Sequence, residues 1–383
     1  MIATQTRALL IDAYRDLNSR KLFWIILILN VLVVAGFAAL GVKANRITIF
    51  TWEIPHDIPV AMFVYKWIFS FVVVGQWLTW MATILALIST ASIFPDFLAG
   101  GAVDLYLCKP ISRVRLFLTK YLTGLLFVAL QVTVFTTGSF FVLGWRARVW
   151  EPGLFIAIPV VVLFFSYLFS ICVLFGVWTR STLASFFLTL VVWGLIFGLN
   201  AADRFLQQAD EIYADNAARA QQRISEIDKT IAQAQVRLDR AAAATRPGTG
   251  TSLTAKVPAT QQVVADAGML RRMQFDRARL ARTADQDRPP QWVKTAQPII
   301  FGINTAVPKT QDTVGLLDRV LFDDAALKAT LSAMPEDYRT HGWREHIQRM
   351  LNVRSIPWII GSSVAFEALL LALAARRFCR GDY

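Results

Sequence analysis

The sequence predicts an all-α polytopic membrane protein, with six transmembrane helices and an extracytoplasmic helical hairpin inserted between spans five and six. Three observations predict it. Of 383 residues, 55% are hydrophobic and 17% charged, whereas a soluble domain carries about 25% charged residues. The mean hydropathy is +0.47. The apolar residues are also clumped into runs of 20 or more, about the length a helix needs to cross a bilayer. This composition excludes a soluble enzyme, a disordered chain and a secreted disulfide scaffold. Cys108, Cys172 and Cys379 are too few and too scattered for a disulfide framework or a zinc site.

Taken in order, residues 1–21 are a cytoplasmic amphipathic segment. The uncharged runs follow as Leu22 to Val42, Trp67 to Phe94, Tyr121 to Trp145, Pro152 to Thr179 and Ser181 to Ala202. The sixth, Ser355 to Ala375, holds one carboxylate, Glu367. Helices satisfy their own backbone groups in lipid. A transmembrane barrel would need short alternating strands instead. The first run is too long for the apolar core of a signal peptide, and 21 residues precede it, so it reads as an uncleaved span. Residues 22–202 thus carry spans one to five, with a cytoplasmic loop at 95–120.

Charge sets the orientation. With the N-terminus inside, the short inner segments hold twelve positive residues, from Arg7 to Arg380, and the short outer loops hold five: Lys43, Arg46, Lys66, Arg146 and Arg148. Such a bias predicts cytoplasmic termini and a multi-pass protein of the cytoplasmic membrane. Trp52, Trp67, Trp145, Trp150 and Trp358 fall near the outer ends, where amphipathic rings suit the headgroup level. The net charge of +12 is explained by these inner positives against anionic lipid. The long segment 203–354 is nearly balanced, at 22 Lys and Arg against 18 Asp and Glu. No nucleic-acid partner is expected.

Residues 203–290 are the extracytoplasmic insertion. Tyr213, Ala217, Ala220, Ile224, Ile227, Ile231, Ala234, Leu238 and Ala241 recur with alternating gaps of four and three, the repeat of a coiled coil. A breaker cluster at 246–252 follows. A second, weaker helical pattern then runs over 259–284, with Val263, Ala267, Leu270, Phe275 and Ala278 on its seam. The simplest fold is an antiparallel hairpin of unequal arms. The alternative is one long helix pairing with its counterpart in a second subunit. Residues 291–354 read as interfacial or re-entrant pieces on the outer leaflet and a small charged cap. Val314, Leu317, Val320 and Leu321 share one helical face. Residues 355–375 are span six, and 376–383 a basic cytoplasmic tail.

Chemistry-bearing motifs are sparse. No phosphate-binding loop of the Gly-x4-Gly-Lys-Ser/Thr form is present. His341, Glu345 and His346 lack zincin spacing, and no Gly-x-Ser-x-Gly elbow exists. No catalytic residue, metal site or cofactor site is therefore expected in the chain itself. Glu367 is the one ionisable residue within a span, and intramembrane carboxylates are candidate functional groups. Snorkelling toward Arg376 or a helix-packing hydrogen bond would satisfy it. Gln76 and Gln131 are further intramembrane polar candidates. Thr79, Thr83, Thr133, Thr136, Thr137 and Asn200 also suit either a polar pathway or bonds between packed helices.

The loop between spans two and three carries the most specific signal. It reads Asp96, Gly101-Ala102, then Cys108-Lys109-Pro110-Ile111-Ser112-Arg113, then Thr119-Lys120. This order resembles the ABC-2-type exporter permeases. They place an acidic residue, Gly-Thr, a leucine-rich turn ending in Ser-Lys-Pro-Ile/Val-Ser-Arg, and Gly-Lys in this loop. Residues 12–24 resemble the family's amphipathic elbow helix, and 375–382 its basic tail. Ala102 and Cys108 replace the usual Thr and Ser, and the 203–290 insertion lies outside the common core. The resemblance implies a homodimeric permease without its own ATPase. It would couple to a separate ATP-binding subunit through Asp96, Gly101, Asp104, Lys109, Pro110 and Arg113. Two other classes stay open. One is a mechanotransmitting subunit that moves an extracytoplasmic protein partner through the hairpin. The other is a membrane-anchored scaffold.

Overall fold

The structure is a computed structural model. It describes residues 15, 21–43, 46–49, 52–53, 69–99, 112–147, 150, 152–244, 253–286, 290–321 and 354–380. The fold is predominantly helical. Among the described residues six helices are long and apolar enough to cross a membrane, consistent with a multi-pass membrane protein. The N-terminal elbow, most of the expected cap at 323–354 and the tip 245–252 lie outside the described residues.

The chain divides into two compact units, residues 1–200 with 303–383, and residues 201–302. The first unit opens with α1 (Lys21–Ala38). Phe23, Ile26, Asn30, Val34 and Phe37 make one buried stripe, while Ile25, Ile28 and Leu32 are exposed. One buried stripe on an otherwise apolar helix is what a span needs when lipid covers its other faces. A three-stranded antiparallel sheet follows, β1 (Leu40–Lys43), β2 (Arg46–Ile49) and β3 (Trp52–Glu53). Leu40 pairs with Ile49, and Thr48 with Glu53. The first strand takes Leu40 to Val42, which the sequence assigns to the end of span one; the helix stops at Ala38. Val42, Ile47, Thr48 and Ile49 are β-branched, the type that fits a pleated surface.

The second span begins with wide π-type turns over Phe69–Ala82 and continues as α2 (Thr83–Thr90) and α3 (Ile93–Ala99). Next is α4 (Arg113–Val142). It starts eight residues before the expected span boundary at Tyr121. Ser112 caps it in extended conformation, accepting a bond from the Arg115 amide at 3.3 Å; a serine there satisfies one of the free N–H groups of the first turn. A tight turn over Pro152–Ile156 leads into α5 (Ala157–Thr179). Arg180, in left-handed conformation at φ 55°, closes α5 and donates its amide to the Gly176 carbonyl at 3.0 Å. α5 is the centre of the unit. Every residue from Phe164 to Val173 is buried, and α10 (Ile356–Arg380), α4, α3 and α9 (Thr310–Leu321) pack on it. A helix apolar on all sides belongs in the interior.

Side-chain pairs give the helix directions. Phe23 meets Phe127, and Val34 meets the Gly138 position, so α1 and α4 run parallel. Tyr121 stacks on Phe169 and Phe140 meets Phe155, so α4 and α5 are antiparallel. Arg113 reaches Cys379 and Tyr121 reaches Glu367, so α4 and α10 are antiparallel as well.

α9 is held to the core of the first unit. It buries Thr310, Thr313, Leu316 and Leu317, has Val314 and Leu317 of the expected apolar face against the core, and packs on α5. Polar bonds hold it there. Asn200 donates to the Pro308 carbonyl and to Thr310 Oγ1, each at 3.3 Å. The Lys309 amide donates to Ser363 Oγ at 2.9 Å.

The unit boundaries fall inside α6 (Thr182–Ala244) and α8 (Gln291–Ala306). Within residues 201–302, α7 (Leu253–Gln286) meets α6 through a bidentate Arg277–Asp228 pair. Gln297 on α8 donates to Asp210 at 3.5 Å. As the α6 partner steps back from 228 to 210, the returning chain advances from 277 to 297, so the two pairs run in opposite senses. The less exposed apolar positions of α6 between 211 and 240 follow the 4-3 repeat: Tyr213, Ala220, Ile224, Ile227, Ile231, Ala234 and Leu238, with Asp215 and Asp228 the sheltered polar ones. Ala217 is exposed. On α7 the expected seam is displaced. Phe275 is 70% exposed and Ala278 is exposed too, while Ala267, Leu270, Met273, Leu280 and Ala284 are the sheltered apolar positions. Arg277 of the same helix pairs with Asp228 of α6.

Candidate functional site

One end of the first unit gathers the chain termini of several helices. Gly176 of α5 touches Pro95 and Phe94. Phe94 meets Phe117, and Phe97 meets Phe378. Lys120 lies over the Phe97 ring, 5.6 Å from its centroid, a distance at which a cation is attracted to the ring face. Asp96 is exposed in the first turn of α3. Arg113 donates from a terminal guanidinium nitrogen to the Cys379 carbonyl at 3.0 Å. A cation on the last carbonyls of a helix satisfies free acceptors and suits the helix dipole, so Arg113 already ties α4 to the end of α10. Of the residues implied for ATPase coupling, the structure thus brings Asp96 and Arg113 to one end of the unit. Gly101, Asp104, Lys109 and Pro110 lie outside the described residues.

The intramembrane candidates separate sharply. Gln76 is exposed. Gln131 is buried at 3% exposure, and its Nε2 has no hydrogen-bond partner; Thr136 Oγ1 and Ser139 Oγ on the same helix are likewise buried and unpartnered. A buried donor without a partner costs about 1–3 kcal/mol. Thr83 and Thr133 return their hydroxyls to their own helices, at Leu78 and Ala129. Glu367 sits near the middle of α10 and is held by two other helices. Tyr121 Oη of α4 lies 2.7 Å from Oε1, and Ser166 Oγ of α5 lies 2.8 Å from Oε2, both within hydrogen-bond distance. Of the two ways to satisfy it, helix packing rather than reach toward Arg376 is what the structure uses.

A second polar group was not read from the sequence. Lys309, fully buried, donates its ammonium to the Thr305 and Val307 carbonyls, both at 2.9 Å, closing the end of α8. Its nitrogen lies 4.5 Å from the Trp358 ring centroid, and the Arg354 guanidinium carbon 4.7 Å from the same centroid. Arg354 pairs with Asp312 at 3.5 Å and Arg319 donates to the Arg354 carbonyl at 3.0 Å. Burial lowers the affinity of Arg319 for its proton, and Asp312 opposes that. A lone tryptophan at a span's start, with lysine and arginine just outside the spans, is the trace this node leaves in sequence. Only folding brings residues 309 and 358 together.

Among the described residues no cluster of His, Cys, Asp and Glu has the makings of a metal site. Cys172 is buried in α5 and Cys379 half-buried in α10, both as thiols. No protein-family model matches the chain, and neither a curated protein nor a solved structure matches it.

Proposed function

We propose that this chain is the transmembrane permease subunit of an ATP-driven exporter of the ABC-2 type. It works as a homodimer in the cytoplasmic membrane and couples to separate ATPase subunits through the loop between spans two and three. The observation that carries this reading is the run from Asp96 to Lys120, whose described ends converge on the basic end of α10. Phe97 packs on Phe378, and Arg113 caps the carbonyl of Cys379. A push on this loop is thereby delivered to three spans at once. That is the mechanical requirement of a coupling element: a two-state arrangement biased by a partner's contacts.

Six helices of spanning length support a membrane role. The chain carries no phosphate-binding loop, so ATP chemistry belongs to the partner in this reading. In the same reading α6 and α7 form the extracytoplasmic hairpin. The paired Asp228–Arg277 contact and the sheltered 4-3 seam favour a second version, in which the hairpin carries force to an outer protein and no substrate crosses.

The test is co-purification from native membranes. The protein should bring down an ATP-hydrolysing subunit, and Lys109→Glu should abolish its recovery while the chain still inserts. Recovery of equal amounts with Lys109→Glu and Asp104→Lys would overturn the coupling assignment. If it holds, Ile224, Ile227 and Ile231 changed together to Ser separate the two versions. Transport survives if the hairpin is an appendage; output vanishes with hydrolysis intact if it transmits force.

A further inference from the structure

Glu367 presents a proton-counting problem. Four oxygen–oxygen contacts meet around it. Tyr121 Oη lies 2.7 Å from Glu367 Oε1 and 3.1 Å from the Ser166 carbonyl. Ser166 Oγ lies 2.8 Å from Glu367 Oε2 and 2.8 Å from the Leu163 carbonyl. A tyrosine or serine hydroxyl has one proton to give, whereas a carbonyl or an ionised carboxylate only accepts. With Glu367 ionised, two protons serve four contacts, and two pairs of oxygens face each other with nothing between them. A proton on the carboxyl changes the sum. Its O–H donates to Tyr121 Oη, Tyr121 turns its own proton to the Ser166 carbonyl, and three of the four contacts are made.

The surroundings agree. The three helices that meet here bring no cation to the carboxyl among the described residues. Tyr121 faces it from α4, and Tyr167 lies near it on α5. From the α9 side the nearest charges are Lys309 and Asp312. Lys309 is turned to the carbonyls of 305 and 307 and Asp312 to Arg354. On α4, Lys120 is over Phe97, and Arg113 caps α10. Arg376 and Arg377 stand more than two turns further along α10. An uncompensated carboxylate within a span is costly, while a carboxylic acid with hydroxyl partners is not.

We infer that Glu367, with Tyr121 and Ser166, is a proton-binding site inside the helical body, occupied in the arrangement seen and joining α4, α5 and α10. When the proton leaves to water, one further oxygen pair is left facing unbridged, making two of the four. The three-helix junction then opens to let water or a cation reach the carboxylate. This inference needs no ATPase partner and stands apart from the exporter reading.

The experiment is infrared spectroscopy of the purified full-length protein in lipid nanodiscs. At neutral pH the wild type is expected to show a protonated-carboxyl stretch that disappears in Glu367→Gln and shifts in frequency in Tyr121→Phe. Glutamine imitates the neutral acid, since it donates and accepts at the same two positions. Glu367→Gln should therefore keep the wild-type thermal midpoint, while Glu367→Ala lowers it. Absence of the band at neutral pH, or a band that persists in Glu367→Gln, overturns the inference. So does a Glu367→Gln protein that fails to fold, because an acid that must be charged is what that failure reports.

Discussion

Gly124 shows how tightly the membrane unit is assembled. A Cβ added there would stand 2.5 Å from two ring atoms of Phe169 and 3.4 Å from Ile93. Phe169 in turn stacks on Tyr121, with centroids 5.3 Å apart, and Tyr121 holds Glu367. A methyl group at 124 therefore displaces the aromatic ring that positions the carboxyl's partner. Gly124→Ala is expected to destabilise the protein by about 1–3 kcal/mol, the usual cost of overpacking. Gly198→Ala, with nothing within 4 Å, is expected to stay within about 0.5 kcal/mol of wild type. Thermal unfolding in detergent micelles, followed by helix signal, compares the two. Equal midpoints would mean that Phe169 moves freely and does not brace Tyr121. None of this closeness was visible in the sequence, where Gly124 is one small residue in an apolar run. Arg113 is a parallel case. Its place in the Lys-Pro-Ile-Ser-Arg run points to a partner subunit, and its guanidinium also bonds a carbonyl of its own chain, that of Cys379.

Among elements, an exposed ion pair between Arg277 and Asp228 links α7 to α6. Arg277 donates to Asp228 and holds its carboxyl below the ordinary value of 3.8, chiefly by hydrogen bonding. The same bond raises the affinity of Arg277 for its proton. A carboxylate whose folded value is depressed stabilises the paired state above the ordinary value, and that contribution is lost as pH falls through the folded value. The pair is solvent-exposed, so salt screens it as well. A spin label at Gln274, on an exposed position of α7, should become more mobile as pH is lowered from about 5 to about 3. In Asp228→Asn the label should be mobile throughout, with no step. A wild-type label indifferent to acid would mean that the seam alone sets the pairing. The seam of α6 was legible because period 3.5 survives in any context. On α7, Phe275 is 70% exposed, because apolar character alone does not decide which way a helix turns a residue.

For the whole molecule, the first unit sorts its charges by end. Arg113, Arg115, Lys120, Arg180, Arg376, Arg377 and Arg380 belong to helix ends joined by the Phe94, Phe97, Phe117 and Phe378 ring contacts. Arg146 belongs to the opposite end, bonded to the Ala39 carbonyl at 3.1 Å. If the first end is cytoplasmic, a cysteine at Ser112, in a protein with Cys108, Cys172 and Cys379 changed to Ser, resists membrane-impermeant labelling in intact cells. One at Gln235 is labelled. Labelling of Ser112 but not Gln235 inverts the protein in the membrane.

The sequence by itself determined where the apolar helices lie and which end of each carries positive charge. These properties depend on composition and local period, and lipid or a neighbouring helix reads them without reference to distant residues. Tertiary structure alone decided the rest. It set α9 against α5, where Asn200 and Ser363 supply bonds to Pro308, Lys309 and Thr310. It joined Tyr121, Ser166 and Glu367, which are separated by 45 and 201 residues, and it set Lys309 beside Trp358. A polar group in an apolar setting must find a partner, and which partner it finds depends on how helices far apart in sequence are turned toward one another.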